Sequence, residues 1–454
     1  MADEAPQVRL QFAEAQTKKV ALFTTFNEAD EAYSLNRVVQ DQIKMLLMNG
    51  YEPIVFVSEG FKPIEWYAHP KVTVRELPNV PKHNEVKKDP SFEEDVDRIY
   101  EVLKSVLSDV DIVMSQDLVY QPDALKHHFA ARRIAAEFPK IRWLHWIHSA
   151  TSPYTLIKLR RFFSDEYLKV MENPFPNSYY VFFNHYSIPR IAENFKIPQE
   201  MVRTVYHPID IAGFFGVDPL VEKLWETKKY YSADAILTYP IRLDRGKQVQ
   251  YVIKTMAKLK EFNLSPRITI VDFHSTGGDK VTYRDELKQL AIDCGLNAQE
   301  ITFTSEFDHD WNTRVPHKAV RDLMLLSNVF ILPSVSESYS LITQEQALCG
   351  SVIVVNQDFP PFREIFGTAV IERKYSAAID VMNGMDGFTT TKYGGGDISD
   401  DERKFHEDKY HQETAGMIAN QLLNNQVLIT QSKIRKERNL QHIFKSQIET
   451  LFYG

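Results

Sequence analysis

KVALFTTFNEADEAYSLNRVVQDQIKMLLMNGYEPIVFVSEG, residues 19–60, reads as strand, helix, strand. KVALFTTF (19–26) is a short apolar run bounded by polar residues, the pattern of a buried strand. SLNRVVQDQIKMLLMNG (34–50) repeats its apolar residues at helical spacing and stops at a glycine. YEPIVFVSEG (51–60) is a second apolar run. A β-α-β unit of this kind predicts a parallel sheet.

The alternation continues on both sides of a break. VTVRELP (72–78), DIVMSQD (111–117), IRWLHWIH (141–148) and YYVFFNH (179–185) are strand-like, and SFEEDVDRIYEVLKSVL (91–107) is helical. That helix opens with Ser91 and has Glu94 three residues on, the spacing of a capping box. A second series starts after residue 230, with strand candidates AILTYPIRL (235–243), RITIVDF (267–273), EITFTSEF (300–307), NVFILPS (328–334) and SVIVVNQD (351–358). Helical stretches at 248–262 and 283–295 separate them. Charged DPLVEKLWETKKYYSAD (218–234) is expected to connect two domains. PNVPKHNEVKKDP (78–90) and most of 384–413, with its triple glycine, are expected to be surface loops.

At 454 residues the chain exceeds what one core supports, so two domains are expected. The reading is α/β, with two doubly wound Rossmann-like domains facing across a cleft. Residues 1–217 form the first, completed by a C-terminal helix at 432–454, and 218–431 form the second. Composition is that of a globular protein, 44% hydrophobic and 25% charged, and net charge is -8. No global attraction to nucleic acid or anionic membrane follows from that charge. Only two cysteines are present, which rules out a disulfide framework. The acidic N-terminus lacks the apolar core of a signal peptide, and no apolar run reaches the roughly 20 residues of a membrane span. A cytoplasmic location is expected.

Two loops carry the candidate chemistry. IRLDRGKQ follows a strand and places Arg242 and Lys247 five residues apart around Gly246. Such a turn can present two cations to a phosphate, or it can be a solvated basic turn. ILPSVSESYSLITQEQALCG (331–350) runs from strand through a Ser-rich loop into a helix. Backbone N–H groups at that helix start favour an anion. Glu337 lies in the loop and Glu345 in the helix, eight residues apart. Each can accept hydrogen bonds from sugar hydroxyls; the alternatives are a helix-terminus carboxylate and a solvent-facing helix residue.

The order Arg-Leu-x-x-x-Lys, strand, Pro-Ser, then Glu337-Ser338-Tyr339-Ser340-Leu341, Glu345-Gln346-Ala347 and Gly350 resembles the retaining GT-B glycosyltransferases of family 4. The resemblance spans nearly the whole chain and is firmest after residue 235. It implies that Arg242 and Lys247 hold a donor diphosphate, that Glu345 binds the nucleotide ribose, and that Glu337 lies beside the donor sugar. Residues Ser338, Tyr339, Ser340 and Leu341 match the loop whose amides contact phosphate and sugar. His148, after a strand of the first half, matches a histidine close to the donor sugar; His145 falls on the opposite face of that strand. Thr25 and Asn27 match a loop touching donor phosphate and acceptor. His207-Pro208-Ile209-Asp210 matches the segment that closes the first domain.

The departures are specific. Ser338 and Ser340 replace two glycines, which is tolerable where φ is negative. Asp272 stands where the family has glycine, on the outline of the nucleotide pocket. The implied reaction moves a sugar from a nucleotide diphosphate, a UDP- or GDP-sugar first, to an acceptor hydroxyl, with retention. No Asp-x-Asp pair sits at the donor site, so neither metal nor cofactor is expected. Saccharides, lipids and hydroxymethylated DNA bases are all open as acceptors, so nucleic acid stands as a substrate to test. The basic-aromatic run IKLRRFF (157–163) is a solvated helix face or a surface for peripheral membrane or nucleic-acid contact. A same-fold epimerase or phosphorylase, and a silent sugar-nucleotide binding protein, are the competing readings.

Overall fold

The structure, a computed structural model, describes residues 18–30, 32–80, 90–121, 124–149, 170, 173–273, 280–334, 337, 339–375, 378–381, 389–392 and 404–453. It divides into two units, 1–210 with 438–454, and 211–437.

The first unit is built on a seven-stranded sheet. Its strands are β1 (Lys19–Phe23), β2 (Glu52–Ser58), β3 (Thr73–Leu77), β4 (Ile112–Gln116), β5 (Arg142–Trp146), β6 (Ser178–Phe182) and β7 (Val202–Thr204), in the order β3-β2-β1-β4-β5-β6-β7. Every pairing is parallel. Such a sheet needs apolar cover on both faces, and the side chains of β1 divide accordingly. Val20 and Leu22 pack with Ile43, Leu440 and Phe444. Ala21 and Phe23 pack with Phe92, Leu103 and Ile134.

The second unit repeats the plan with β8 (Ala235–Arg242), β9 (Pro266–Phe273), β10 (Ile301–Phe303), β11 (Val329–Leu332), β12 (Val352–Asn356) and β13 (Ile371–Arg373), in the order β10-β9-β8-β11-β12-β13. All its pairings are parallel. Leu237, Tyr239 and Ile241 of β8 bury against Val252, Met256 and Ile418. Ile236, on the other face, meets Leu224, Trp225 and Leu323. A separate hairpin pairs β14 (Ala378–Val381) with β15 (Thr389–Lys392), antiparallel. Each unit is therefore a Rossmann-like, doubly wound α/β sheet.

In each sheet the strand order reverses once, between β1 and β4 and between β8 and β11. Loops leaving the carboxyl ends of two such strands diverge and leave a crevice, where ligands of doubly wound sheets bind. The loop after β8 carries Lys247 and the loop after β11 carries Glu337.

Several expectations change. Residues 218–234 are not a connection: Pro219–Thr227 is a helix, and its Val221, Leu224 and Trp225 are core residues of the second unit. The division falls after Asp210 rather than 217, because Ile211 and Val217 pack on that same core and Asp218 N–H donates to Asp322 Oδ2 at 2.8 Å. At the other end the chain leaves the second unit after Glu437 rather than 431. Arg435 donates to the Ala233 carbonyl at 2.8 Å, and Lys436 pairs with Asp234 at 2.7 Å. The helical segment Leu440–Tyr453 then belongs to the first unit.

Ser91 does not cap its helix; its hydroxyl donates to the Asp95 carboxylate instead, at 3.0 Å. The strand expected over 300–307 ends at Phe303 and turns into a short helix, Thr304–Phe307. Within 384–413, Thr389–Lys392 pairs as a strand and a helix starts at Asp408, with His411 buried. The runs 81–89, 157–163 and 274–279 lie outside the described residues.

Candidate functional site

β8 ends at Arg242, and a short 3₁₀ turn, Arg245–Lys247, follows. Tyr239, buried inside β8, donates its hydroxyl to the Lys247 carbonyl at 3.0 Å. Gln248 then takes φ +49 and opens helix Val249–Lys258. The turn is thereby anchored from the core, and its lysine side chain is directed across the switch point. Lys247 Nζ lies 3.3 Å from Glu337 Oε1. The two residues are 90 apart in sequence, and both side chains are largely buried, 24% and 16% exposed. Glu337 Oε2 is buried with no hydrogen-bond partner among the described residues.

The other cations of this turn behave differently. Arg242 has its side chain more than half exposed, with Nε 3.7 Å from Asp244 Oδ2. Arg245 grips Glu286 through two contacts, of 2.9 and 2.8 Å, and stacks on Tyr283. That pairing makes Arg245 a structural cation, while Lys247 reaches Glu337 of the β11 loop.

Beyond β11, Ser334 is buried and its carbonyl accepts from Asn356 Nδ2 at 3.2 Å. Ser338 lies outside the described residues. Ser340 immediately precedes helix Leu341–Leu348 and sits at φ +54. The negative φ under which serine would be harmless is therefore not met there; the residue occupies the left-handed region that favours glycine. Its hydroxyl is 2.7 Å from Thr343 Oγ1, a local compensation. Among the described residues no side chain caps the helix, whose first-turn N–H groups are the kind that favour an anion. Tyr339 and Leu341 are exposed. Glu345 shares the helix face of Leu341 and Leu348 and is also exposed; its carboxylate makes no hydrogen bond or ion pair among the described residues. Gln346 beside it is fully buried and accepts from Ser351 Oγ at 2.9 Å.

Asp272 is accounted for by the core of the second unit. It is buried and accepts from Ser305 N–H at 2.9 Å and Ser305 Oγ at 2.6 Å. It holds the start of helix Thr304–Phe307.

In the first unit, His148 follows β5. Its Nε2 is 2.8 Å from Gln116 Oε1, and its ring stacks on His207, centroids 5.6 Å apart. Gln116 in turn donates its amide to Gln42 Oε1 at 2.8 Å. Burial, then the neighbouring His207, lowers the His148 pKa to about 3, so the ring is neutral at pH 7. With Nε2–H committed to Gln116, Nδ1 presents a lone pair. His145 is a core residue: fully buried, 2.7 Å from Ser115 Oγ, enclosed by Trp143, Phe175 and Tyr180.

Asp117, which sequence patterning passed over, joins His148. It follows β4 at φ +53, and its Oδ1 accepts from His148 N–H at 2.9 Å and from Tyr120 Oη at 2.6 Å. Burial raises its pKa against those two bonds. The signal available in sequence was an acid directly after a predicted strand, in DIVMSQD. Thr25 and Asn27 are exposed in the loop after β1, and Thr25 lends its carbonyl to Ser58 Oγ at 3.1 Å.

No curated protein matches the chain. Among solved structures, it is similar to a glycosyltransferase from Rickettsia africae (12% identity, covering 96% of this chain and 98% of that one, TM-score 0.35). It is also similar to the sucrose-phosphate synthase of Thermosynechococcus elongatus (14%, 96% and 96%, TM-score 0.32) and to Anabaena HepE in complex with UDP (16%, 95% and 99%, TM-score 0.31). It is over residues 223–378, the stretch that carries β8, β11 and both of their loops, that the chain matches the family model described as Glycosyl transferases group 1.

Proposed function

We propose that the chain is a retaining glycosyltransferase that takes a sugar from a nucleotide diphosphate and delivers it to an acceptor hydroxyl, without a metal. The observation that carries this reading is the meeting of Lys247 and Glu337 at the β8/β11 switch point, inside the stretch matching glycosyl transferases group 1. One loop supplies a cation, and the other supplies an acid and a helix start; among the described residues the acid's buried Oε2 has no hydrogen-bond partner and the helix start no side-chain cap. A diphosphate suits the cation and the amide dipoles; a sugar hydroxyl suits the acid.

In this reading the C1–O bond to the diphosphate breaks through an oxocarbenium-like state while the acceptor oxygen bonds to C1 from the same face. The acceptor proton passes to the departing phosphate oxygen. Negative charge grows on the diphosphate as it leaves, and Lys247, Arg242 and the amides ahead of Leu341 stabilise it. Glu337 orients the donor sugar and Glu345 the ribose. The first unit supplies the acceptor half, with neutral His148 accepting a hydrogen bond from a substrate hydroxyl.

A thermal-shift screen of UDP-, GDP- and ADP-sugars tests the reading, followed by mass spectrometry of saccharide, lipid and hydroxymethylated DNA acceptors with the donor that binds. Transfer with the anomeric configuration kept, undiminished by EDTA, is the expected result. Binding without turnover on any acceptor, or donor hydrolysis unchanged in Lys247→Ala and Glu337→Gln, contradicts it.

A further inference from the structure

Lys247 and Glu337 are each assigned a different part of the donor, yet here they hold one another, 3.3 Å apart. We propose that this ion pair is a latch: Glu337 occupies the cation that the diphosphate requires, and releases it only as nucleotide arrives. The inference rests on the reading of the β8 and β11 loops as the donor site.

Three observations make the pair an exchangeable one. Both side chains are withdrawn from solvent, so their attraction is not fully screened. Among the described residues Glu337 nevertheless satisfies one oxygen alone; Oε2 is buried without a partner there, which weakens the closed state. The lysine carbonyl is fixed by Tyr239 from the core, so the side chains rather than the turn itself must move.

A nucleotide sugar answers both sides. Its diphosphate gives Lys247 a doubly charged partner, and its sugar hydroxyls give both Glu337 oxygens a donor. Opening the latch and seating the sugar are therefore coupled. A nucleoside diphosphate product lacks the sugar and has to hold the latch open with phosphate alone. Return of Glu337 to Lys247 then favours product release over product inhibition.

Titration calorimetry on the full chain tests this with whichever of UDP, GDP or ADP binds. Glu337→Gln cannot alter a sugar contact these ligands do not make. The latch predicts that the nucleoside diphosphate binds about five- to tenfold tighter to this variant, within the usual span of couplings between neighbouring sites. The matching nucleoside, with no phosphate, binds unchanged, and in a Lys247→Ala background Glu337→Gln changes nothing. Glu337→Ala gives the same direction, and thermal melts confirm that each variant is folded. Diphosphate affinity that is unchanged or weaker in Glu337→Gln overturns the latch, since the acid would then be neutral toward Lys247 or support it. If Lys247→Ala itself leaves diphosphate affinity unaltered, the donor-site reading falls, and the latch with it.

Discussion

His148 Nε2 lies 2.8 Å from Gln116 Oε1, and that one contact decides which form of the imidazole the first unit presents. Gln116 spends its own amide donor on Gln42, so its oxygen takes the histidine proton and Nδ1 keeps a lone pair. With a pKa near 3, the ring carries no charge at pH 7. Turnover should therefore show no break attributable to His148 between pH 5 and 8. Replacing Gln116 with alanine should lower kcat about tenfold, in line with loss of one positioning hydrogen bond. A step near pH 6.5 that vanishes in His148→Asn would contradict this.

Ser340 at φ +54 makes a second case. A non-glycine residue there costs about 1–2 kcal/mol, offset by its bond to Thr343. Ser340→Gly should leave the melting temperature nearly unchanged or slightly raised, and Ser340→Val should lower stability by at least about 1 kcal/mol more. Equal melts for the two variants would show that the loop does not need the left-handed backbone.

Acid sensitivity of the first unit follows from its buried histidines. His127 is held near pKa 4, by burial and then Lys126; His145 near 3, by burial and then Arg132; and His128 is likewise lowered, by burial first. All are neutral when folded, whereas the unfolded chain takes up protons below about pH 6.5. Their contribution is full above that pH and is lost as pH falls toward 4. Relative to His127→Gln, the wild type should lose about 1–2 kcal/mol between pH 7 and pH 5 in urea titrations. A difference that stays constant over that interval would contradict the assignment.

Asp41 works in the opposite direction. Burial first, then repulsion from Asp210, raises its carboxyl to about 7, against the attraction of Arg37 and Lys44. Lys44 is already paired with Asp210 at 2.6 Å. The folded state keeps the Asp41 proton longer than the unfolded chain, so stability from this residue is present at low pH and is lost as pH rises from about 4 to 7. Asp41→Asn should accordingly gain on the wild type between pH 5 and pH 8, by on the order of 2–3 kcal/mol. A gain that shrinks over that interval would contradict the account.

The two sheets were legible because a strand buried in a parallel sheet is nearly all apolar, as in ALF of β1 and VFIL of β11, while the intervening helices keep a 3.6-residue period. The helix at 219–227 was misjudged because three apolar residues, Val221, Leu224 and Trp225, are diluted by charged neighbours; burial follows position on the helix, not mean polarity. Lys247 and Glu337 were each visible as a residue type after a strand. Their contact was not, because it depends on strand order, which places β8 beside β11. Asp117 was missed for a related reason: its role comes from β5, the neighbouring strand, which brings His148 N–H to it. The positive φ of Ser340 is set by how the β11 loop enters its helix, and residue type alone does not disclose it.

The most direct test is a crystal structure of the full chain with its nucleoside diphosphate bound. A phosphate oxygen is expected within about 4 Å of Lys247 Nζ, ahead of the helix that starts at Leu341, with Glu337 turned away from the lysine. A nucleotide seated elsewhere, with Lys247 and Glu337 still paired, would contradict it.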